Sequence, residues 1–257
     1  MVQASKAEGV KSSKVLDTLC HAVADDLAML AALHDREPDE PLLQLLREEG
    51  FPEGLGMRLV SVNGSQALDL MKHALASLPE QIDETTINEL AVDYAAIYLN
   101  YSIMASPEES VWIDEESLVC QDCMFQVRSW YEEYGLTAED WRIRPDDHLV
   151  LQLQFLSHLF STPGSAAHLG EVARFMDEHL LRWISSFAER VAGRCGTPYF
   201  AGVAMLTATY CEEIRDLLAS ILDQPRPSSE EIEERMRPKT NHEEAPASYM
   251  PGMGPAV

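Results

Sequence analysis

The chain has 257 residues, 46% of them hydrophobic, and carries 43 Asp and Glu against 19 Lys and Arg for a formal net charge of −24. That length and apolar content suit a folded core and exclude wholesale disorder, while the charge repels phosphate backbones and anionic membrane surfaces and favours basic partners. No run approaches the roughly 18 apolar residues of a membrane span, and the five scattered cysteines read as reduced thiols. A cytoplasmic protein is expected, with no nucleic-acid partner and no stable membrane insertion.

Residues 1–12 are polar, lack the apolar stretch of a signal peptide and are expected to be flexible. Val15, Leu19, Val23, Leu27, Leu30 and Leu33 then recur at helical spacing and predict a first helix. Pro41 near N1 and Gly50 at the end bound a short second one. Ser65 is the expected cap of a third, which carries Leu68, Met71 and Leu75 towards Pro79. Thr85 or Thr86 opens a fourth through Leu90, Tyr94, Ile97 and Tyr98. A further helix is predicted from Glu115 to Tyr134, stopped by Gly135. The polar connection with Trp141 and Pro145 reads as a hinge, 136–146, between an N-terminal helical subdomain (13–135) and a C-terminal one (147–224). Helices are predicted there over Asp147 to Phe160, Ser165 to Ala192 and Pro198 to Leu222. Prolines, glycines and charge make 225–257 an expected flexible acidic tail. The fold class is all-α, a helical bundle of about nine to ten helices.

Chemistry-bearing motifs are sparse. Cys120-Gln-Asp-Cys123 lies in a helical stretch without a strand before it, and no second ligand pair accompanies it, so neither a metal nor a cofactor is expected. Asp146 and Asp147 follow Pro145 and precede His148, a pattern that reads first as a helix cap. The glycine-rich phosphate loop, the dinucleotide fingerprint and the serine nucleophile elbow are all missing, so no catalytic residue is assigned and an enzyme is not expected. Tyr94, Tyr98, Tyr101 and Trp112 surround residues 102–107. They read either as core or as the wall of a groove for an apolar helix with basic ends.

Three stretches carry a resemblance. The first is Glu89-Leu-Ala-Val-Asp-Tyr-Ala-Ala-Ile-Tyr-Leu99 running into Pro107-Glu-Glu-Ser-Val-Trp-Ile-Asp-Glu-Glu116. The second is Arg144-Pro-Asp-Asp-His-Leu-Val-Leu-Gln-Leu-Gln-Phe-Leu156, and the third is Thr197-Pro-Tyr-Phe-Ala-Gly-Val-Ala-Met-Leu-Thr207. In this order they resemble the TorD/DmsD (NarJ-like) family of molybdoenzyme maturation chaperones. The resemblance implies a cytosolic, system-specific chaperone for an exported molybdenum-cofactor oxidoreductase. Such a protein binds the client's twin-arginine signal peptide, its apo catalytic subunit, or both, and assists cofactor insertion and folding before export.

Carried over position by position, the resemblance implies a peptide-binding set of Tyr94, Ile97, Tyr98, Glu109, Ser110, Trp112, Asp147 and His148. Asp147 would hold a guanidinium, Trp112 and Tyr98 would touch apolar residues, and His148 would order its loop. Ser106 departs from the family, which often has a second proline there, and Gln154 replaces a common acid. Domain-swapped relatives imply a monomer or a swapped dimer. Two other readings stay open from the residues: an acidic helical scaffold for a folded partner, and a metal-dependent helical hydrolase.

Overall fold

Helix α1 (Val2–Asp35) begins inside the polar N-terminal residues, where Ala, Lys and Glu favour helix. Val23, Leu27, Leu30 and Leu33 are buried while Val15 is exposed, so the apolar stripe engages only from its second half. The computed structural model describes residues 2–113, 118–162 and 164–237, with side chains from Lys14 onward.

Local capping and turn signals place most of the other helices. Asp39 caps α2 (Glu40–Glu48) by accepting the Leu42 N–H, and Gly50 closes it at φ +67°, a left-handed conformation that glycine adopts without strain. Helix α3 (Val62–Ser77) starts earlier than expected, because Ser61 rather than Ser65 accepts the Gly64 N–H. Ser61 is held there from a distance: Glu213 accepts from the Val60 N–H at 2.7 Å, the Ser61 N–H at 3.1 Å and the Ser61 hydroxyl at 2.6 Å. Ser61→Ala should therefore cost about 1–2 kcal/mol in urea denaturation and Ser65→Ala under about 0.5 kcal/mol. Equal effects of the two would refute this assignment of the cap.

Asp83, not Thr85 or Thr86, caps α4 (Glu84–Tyr94), which runs into a wider π turn over Ala95–Leu99. A single turn, α5 (Ser110–Ile113), precedes α6 (Asp122–Glu133). The helix expected from Glu115 thus begins later. Its first residues lie outside the described set, and 118–121 are not helical, with Cys120 at φ +62°. Gly135 ends α6 at φ +70°, as expected.

The C-terminal half holds α7 (Leu149–Ser161), α8 (Ala166–Glu178), α9 (Ile184–Arg194) and α10 (Pro198–Leu222). The single helix expected over 165–192 breaks at His179, and a 3-10 turn (Leu180–Arg182) separates α8 from α9. Leu180, Leu181, Trp183 and Ile184 are all buried, so the apolar pattern runs unbroken through the turn and conceals it.

Helix α10 is the centre of the bundle: from Tyr199 to Leu218 it is buried on most sides, with α3, α8 and α9 packed on it, and α1 packs along α7. Residues 1–226 form one compact unit that contains 136–146. The physical reason is that each half completes the other's core, α7 covering the face of α1 and α10 that of α3. Residues 227–257 form a second unit, where a helix, α11 (Ser229–Met236), stands in the expected flexible tail. A reciprocal capping box between Ser228 and Glu231 starts it. The rest of the tail, 238–257, lies outside the described residues. No described helix is long and apolar enough to cross a membrane.

Buried carboxylates fasten distant segments of the unit 1–226. Asp26 on α1 accepts the Gly56 and Met57 N–H groups at 2.8 and 3.0 Å and the Tyr210 hydroxyl. Asp177 on α8 takes the Arg215 guanidinium with two bonds of 2.9 and 2.8 Å, both residues being buried. A satisfied buried carboxylate orders the loop that donates to it, because those N–H groups have no water to return to.

Candidate functional site

The first and third family-like stretches meet around α4 and the start of α10. Asp93 accepts the Gly196 and Thr197 N–H groups, each at 2.7 Å, and the Thr197 hydroxyl at 2.6 Å. It thereby caps α10 from another helix, a task Thr197 does not perform for itself. Five residues on, Tyr98 donates to His34 Nδ1 at 2.5 Å, and His34 Nε2 donates to Thr207 Oγ1 at 2.9 Å. Because the Thr207 hydroxyl is already given to the Val203 carbonyl, this chain of donors fixes one neutral tautomer of His34. Burial pushes the His34 pKa down to about 3. Tyr94 donates to the Asp35 carbonyl at 2.8 Å and packs with Tyr98 and Phe200. Tyr94, Ile97 and Tyr98 are buried, so here the core reading of the aromatic stripe holds.

The second stretch meets residues 106–113 through a single antiparallel bridge between Glu108 and His148. The Leu149 N–H reaches the Pro107 carbonyl at 2.7 Å and the Glu109 N–H the Asp147 carbonyl at 3.2 Å. Asp147 Oδ2 accepts both the N–H and the hydroxyl of Ser110, at 2.9 and 2.5 Å. The cap of α7 is therefore not Asp147 or Asp146 but His148, whose Nδ1 accepts the Val150 N–H at 3.1 Å. The aspartate expected to start the helix reaches back and closes the segment 100–113 over it like a strap.

Four neighbouring carboxylates lie in and under this strap: Glu108, Glu109, Asp146 and Asp147, none more than 2% exposed. Arg128 pairs with Asp146 at 2.8 Å, and His179 faces Glu109 at 3.0 Å. Glu109 also takes the Gln152 amide at 2.7 Å, and Glu108 takes the Tyr101 hydroxyl at 3.1 Å and the Ser106 hydroxyl. Among the described residues Glu108 and Asp147 have no cationic partner. Burial pushes Glu108 upward against the hydrogen bonds of Ser106 and Tyr101, and pushes Asp147 upward against those of Ser110. Asp147 Oδ1 is buried and makes no hydrogen bond among the described residues.

Trp112 is the half-exposed member. Its Nε1 donates to the Ser106 carbonyl at 2.8 Å, its ring meets Phe187 edge-on, and the Arg190 guanidinium lies 4.4 Å from the ring centre. Ser106, the departure from the family pattern, thus ties both Glu108 and Trp112 into the strap. Of the eight residues expected to face a peptide, seven are buried and only Trp112 offers surface. The polar members Glu109, Ser110, Asp147 and His148 spend their bonds on one another and on the start of α7. Gln152, His179 and Arg190 belong to the site without any motif of their own, beside Tyr101 of the aromatic group around 102–107. Of these, only Gln152, one turn beyond His148, stands inside one of the three family-like stretches.

Cys120 and Cys123 are free thiols beside the strap, both raised by burial first and by neighbouring carboxylates next. Among the described residues no group of three or more His, Cys, Asp or Glu is arranged to hold a metal ion. A groove of about 680 Å³ lies elsewhere, among α3, α9 and α10, with Glu189, Glu212, Glu213 and Asp216 on its walls. Glu213 is already committed to Ser61 and Glu212 to Arg226, so this groove reads as a solvated acidic face.

The family described as nitrate reductase delta subunit matches residues 65–189, which include the strap and the start of α7. A protein of Vibrio cholerae serotype O1 named chaperone protein TorD is 26% identical over 163 residues, covering 60% of this chain and 74% of its own. TorD of Photobacterium profundum is 24% identical over 172 residues, 63% of this chain and 76% of its own. A Tat proofreading chaperone, DmsD of Salmonella typhimurium, is 27% identical over 106 residues, 41% of this chain and 50% of its own.

Proposed function

We propose that this chain, which belongs to the TorD/DmsD family of chaperones, is a system-specific chaperone for a molybdenum-cofactor oxidoreductase and grips its client at the strap. The finer reading is that the client presents a twin-arginine signal peptide, and that binding guards the apo catalytic subunit while its cofactor is inserted. One observation carries this reading: the Glu108–His148 bridge joins two family-like stretches over four buried carboxylates, of which Glu108 and Asp147 have no cationic partner among the described residues. Uncompensated buried charge is costly, so a guanidinium that reaches it gains more than it would on the surface. Exposed Leu99, Tyr101 and Met104 along the strap supply apolar surface next to that charge, as a signal peptide's apolar stretch requires.

Isothermal titration with a twin-arginine signal peptide and its Lys-Lys control tests it. Micromolar or tighter binding is expected, lost or at least tenfold weaker with Lys-Lys, because only the planar guanidinium pairs bidentately with a carboxylate. Equal binding of both peptides, or of neither across the candidate clients, would sink the export-signal reading. Asp147→Asn should weaken the twin-arginine peptide by about tenfold or more, in line with loss of a charge-assisted bond.

A further inference from the structure

We propose that the outer face of Trp112 is a guanidinium subsite, and that Arg190 of the chain itself is its resident occupant, displaced when a client arginine docks. The proposal rests on the strap being the client site, and adds to it a competitor built into α9.

Arg190 stacks 4.4 Å from the Trp112 ring centre and donates through NH1 to the Met104 carbonyl at 3.0 Å. One helical turn later, Arg194 donates to the Ile103 carbonyl at 2.9 Å. Both acceptors lie in the strap, so two guanidiniums clip it from the solvent side while Asp147 holds Ser110 from beneath. The clipped backbone is under tension: Tyr101 and Met104 sit at φ +55°, where side chains other than glycine are uncommon. Among the described residues neither arginine has a carboxylate within salt-bridge distance, in contrast to Arg128, Arg144, Arg215 and Arg226. What holds Arg190 there is an aromatic face and a carbonyl, both of which another guanidinium can use with equal ease.

The exchange has a direction. A client arginine takes the same face of Trp112, and a second one next to it can reach the charge-starved carboxylates that Arg190, tethered to α9, leaves uncompensated. Asp147 Oδ1, buried and without a hydrogen bond among the described residues, is an acceptor such a guanidinium can use. Displacing Arg190 also releases Met104 from its clip, which lets the strap lift and exposes the residues now buried below it.

The test uses the full chain, as wild type, Arg190→Gln and Arg190→Lys, with helical content checked by circular dichroism. Arg190→Gln should bind the twin-arginine peptide about two- to fivefold more tightly than wild type, the range that one exposed cation–π contact corresponds to. Hydrogen exchange at 101–113 should quicken, and Arg190→Lys should fall between. Unchanged or weaker affinity in Arg190→Gln, with the wild type still binding the peptide, would overturn the inference and leave the export-signal reading intact. If no variant binds the peptide, N-ethylguanidinium decides the subsite alone. It should shift tryptophan fluorescence at lower concentration in Arg190→Gln than in wild type, with no shift in an added Trp112→Phe change and none from ethylammonium. The same response in wild type and Arg190→Gln would overturn the subsite.

Discussion

Asp177→Ala is expected to lower the unfolding free energy by about 3–5 kcal/mol, because it strands the Arg215 guanidinium in the core. Arg215 and Asp177 are each 3% exposed and joined by two parallel bonds. Arg226 approaches the same carboxylate at 3.5 Å, but from a partly exposed position where water can replace it. Without the carboxylate, Arg215 keeps its desolvation cost and loses the partner that offset it. Replacing both residues with apolar ones of similar size, Asp177→Leu with Arg215→Met, should recover most of the loss, since that cost then disappears. Urea denaturation of the three chains measures this. A single variant that loses less than about 1 kcal/mol would mean that Arg215 is not dependent on Asp177.

Acid should destabilise the fold through His34. Its folded pKa is lowered by burial to about 3, from an ordinary value of 6.5. Between those values the unfolded chain takes up a proton that the folded chain refuses, so stability falls as pH drops below about 6.5 and the loss is complete only near pH 3. At about 1.4 kcal/mol per pH unit, this histidine alone removes roughly 2 kcal/mol on going from pH 7 to pH 5. His148, also lowered to about 3 by burial and then by the Arg144 and His34 charges, adds a change of the same sign. Glu108 and Asp147 act oppositely: their raised folded pKa values mean that falling pH stabilises the fold as they protonate. The comparison that isolates His34 is therefore a difference. The stability lost from pH 7 to pH 5 should be about 2 kcal/mol smaller in His34→Gln than in wild type. An identical loss in both would show that His34 titrates normally in the fold.

The elements that could be read from the sequence are those governed by neighbours. Pro198 and Leu222 bound α10 as expected, and Gly50 and Gly135 close their helices in the left-handed conformation their lack of a side chain permits. The elements misplaced are those governed from afar. Ser61 outcompetes Ser65 because of a glutamate more than 150 residues downstream, and His148 displaces Asp147 as a cap because Asp147 is drawn to Ser110. His179 breaks a helix inside an unbroken apolar run while facing Glu109, seventy positions away. The candidate site shows the same division. Its residue types and order were legible through the family resemblance, since Tyr98, Glu109, Trp112 and Asp147 each belong to quoted stretches. Their exposure was not, because burial is decided by which segments fold over which. Arg190 and Arg194 carry no pattern in the sequence beyond sitting one turn apart on a helix.

The central place of α10 has a consequence for the moment of birth. Helix α3 rests on α10, yet 145 residues (77 to 222) separate the end of one from the end of the other. At the roughly 5–20 residues per second of translation, the apolar side of α3 waits about 7–29 s for its cover. For that interval the nascent chain carries apolar surface without its cover. The fold is thus unfinished until α10 has left the ribosome.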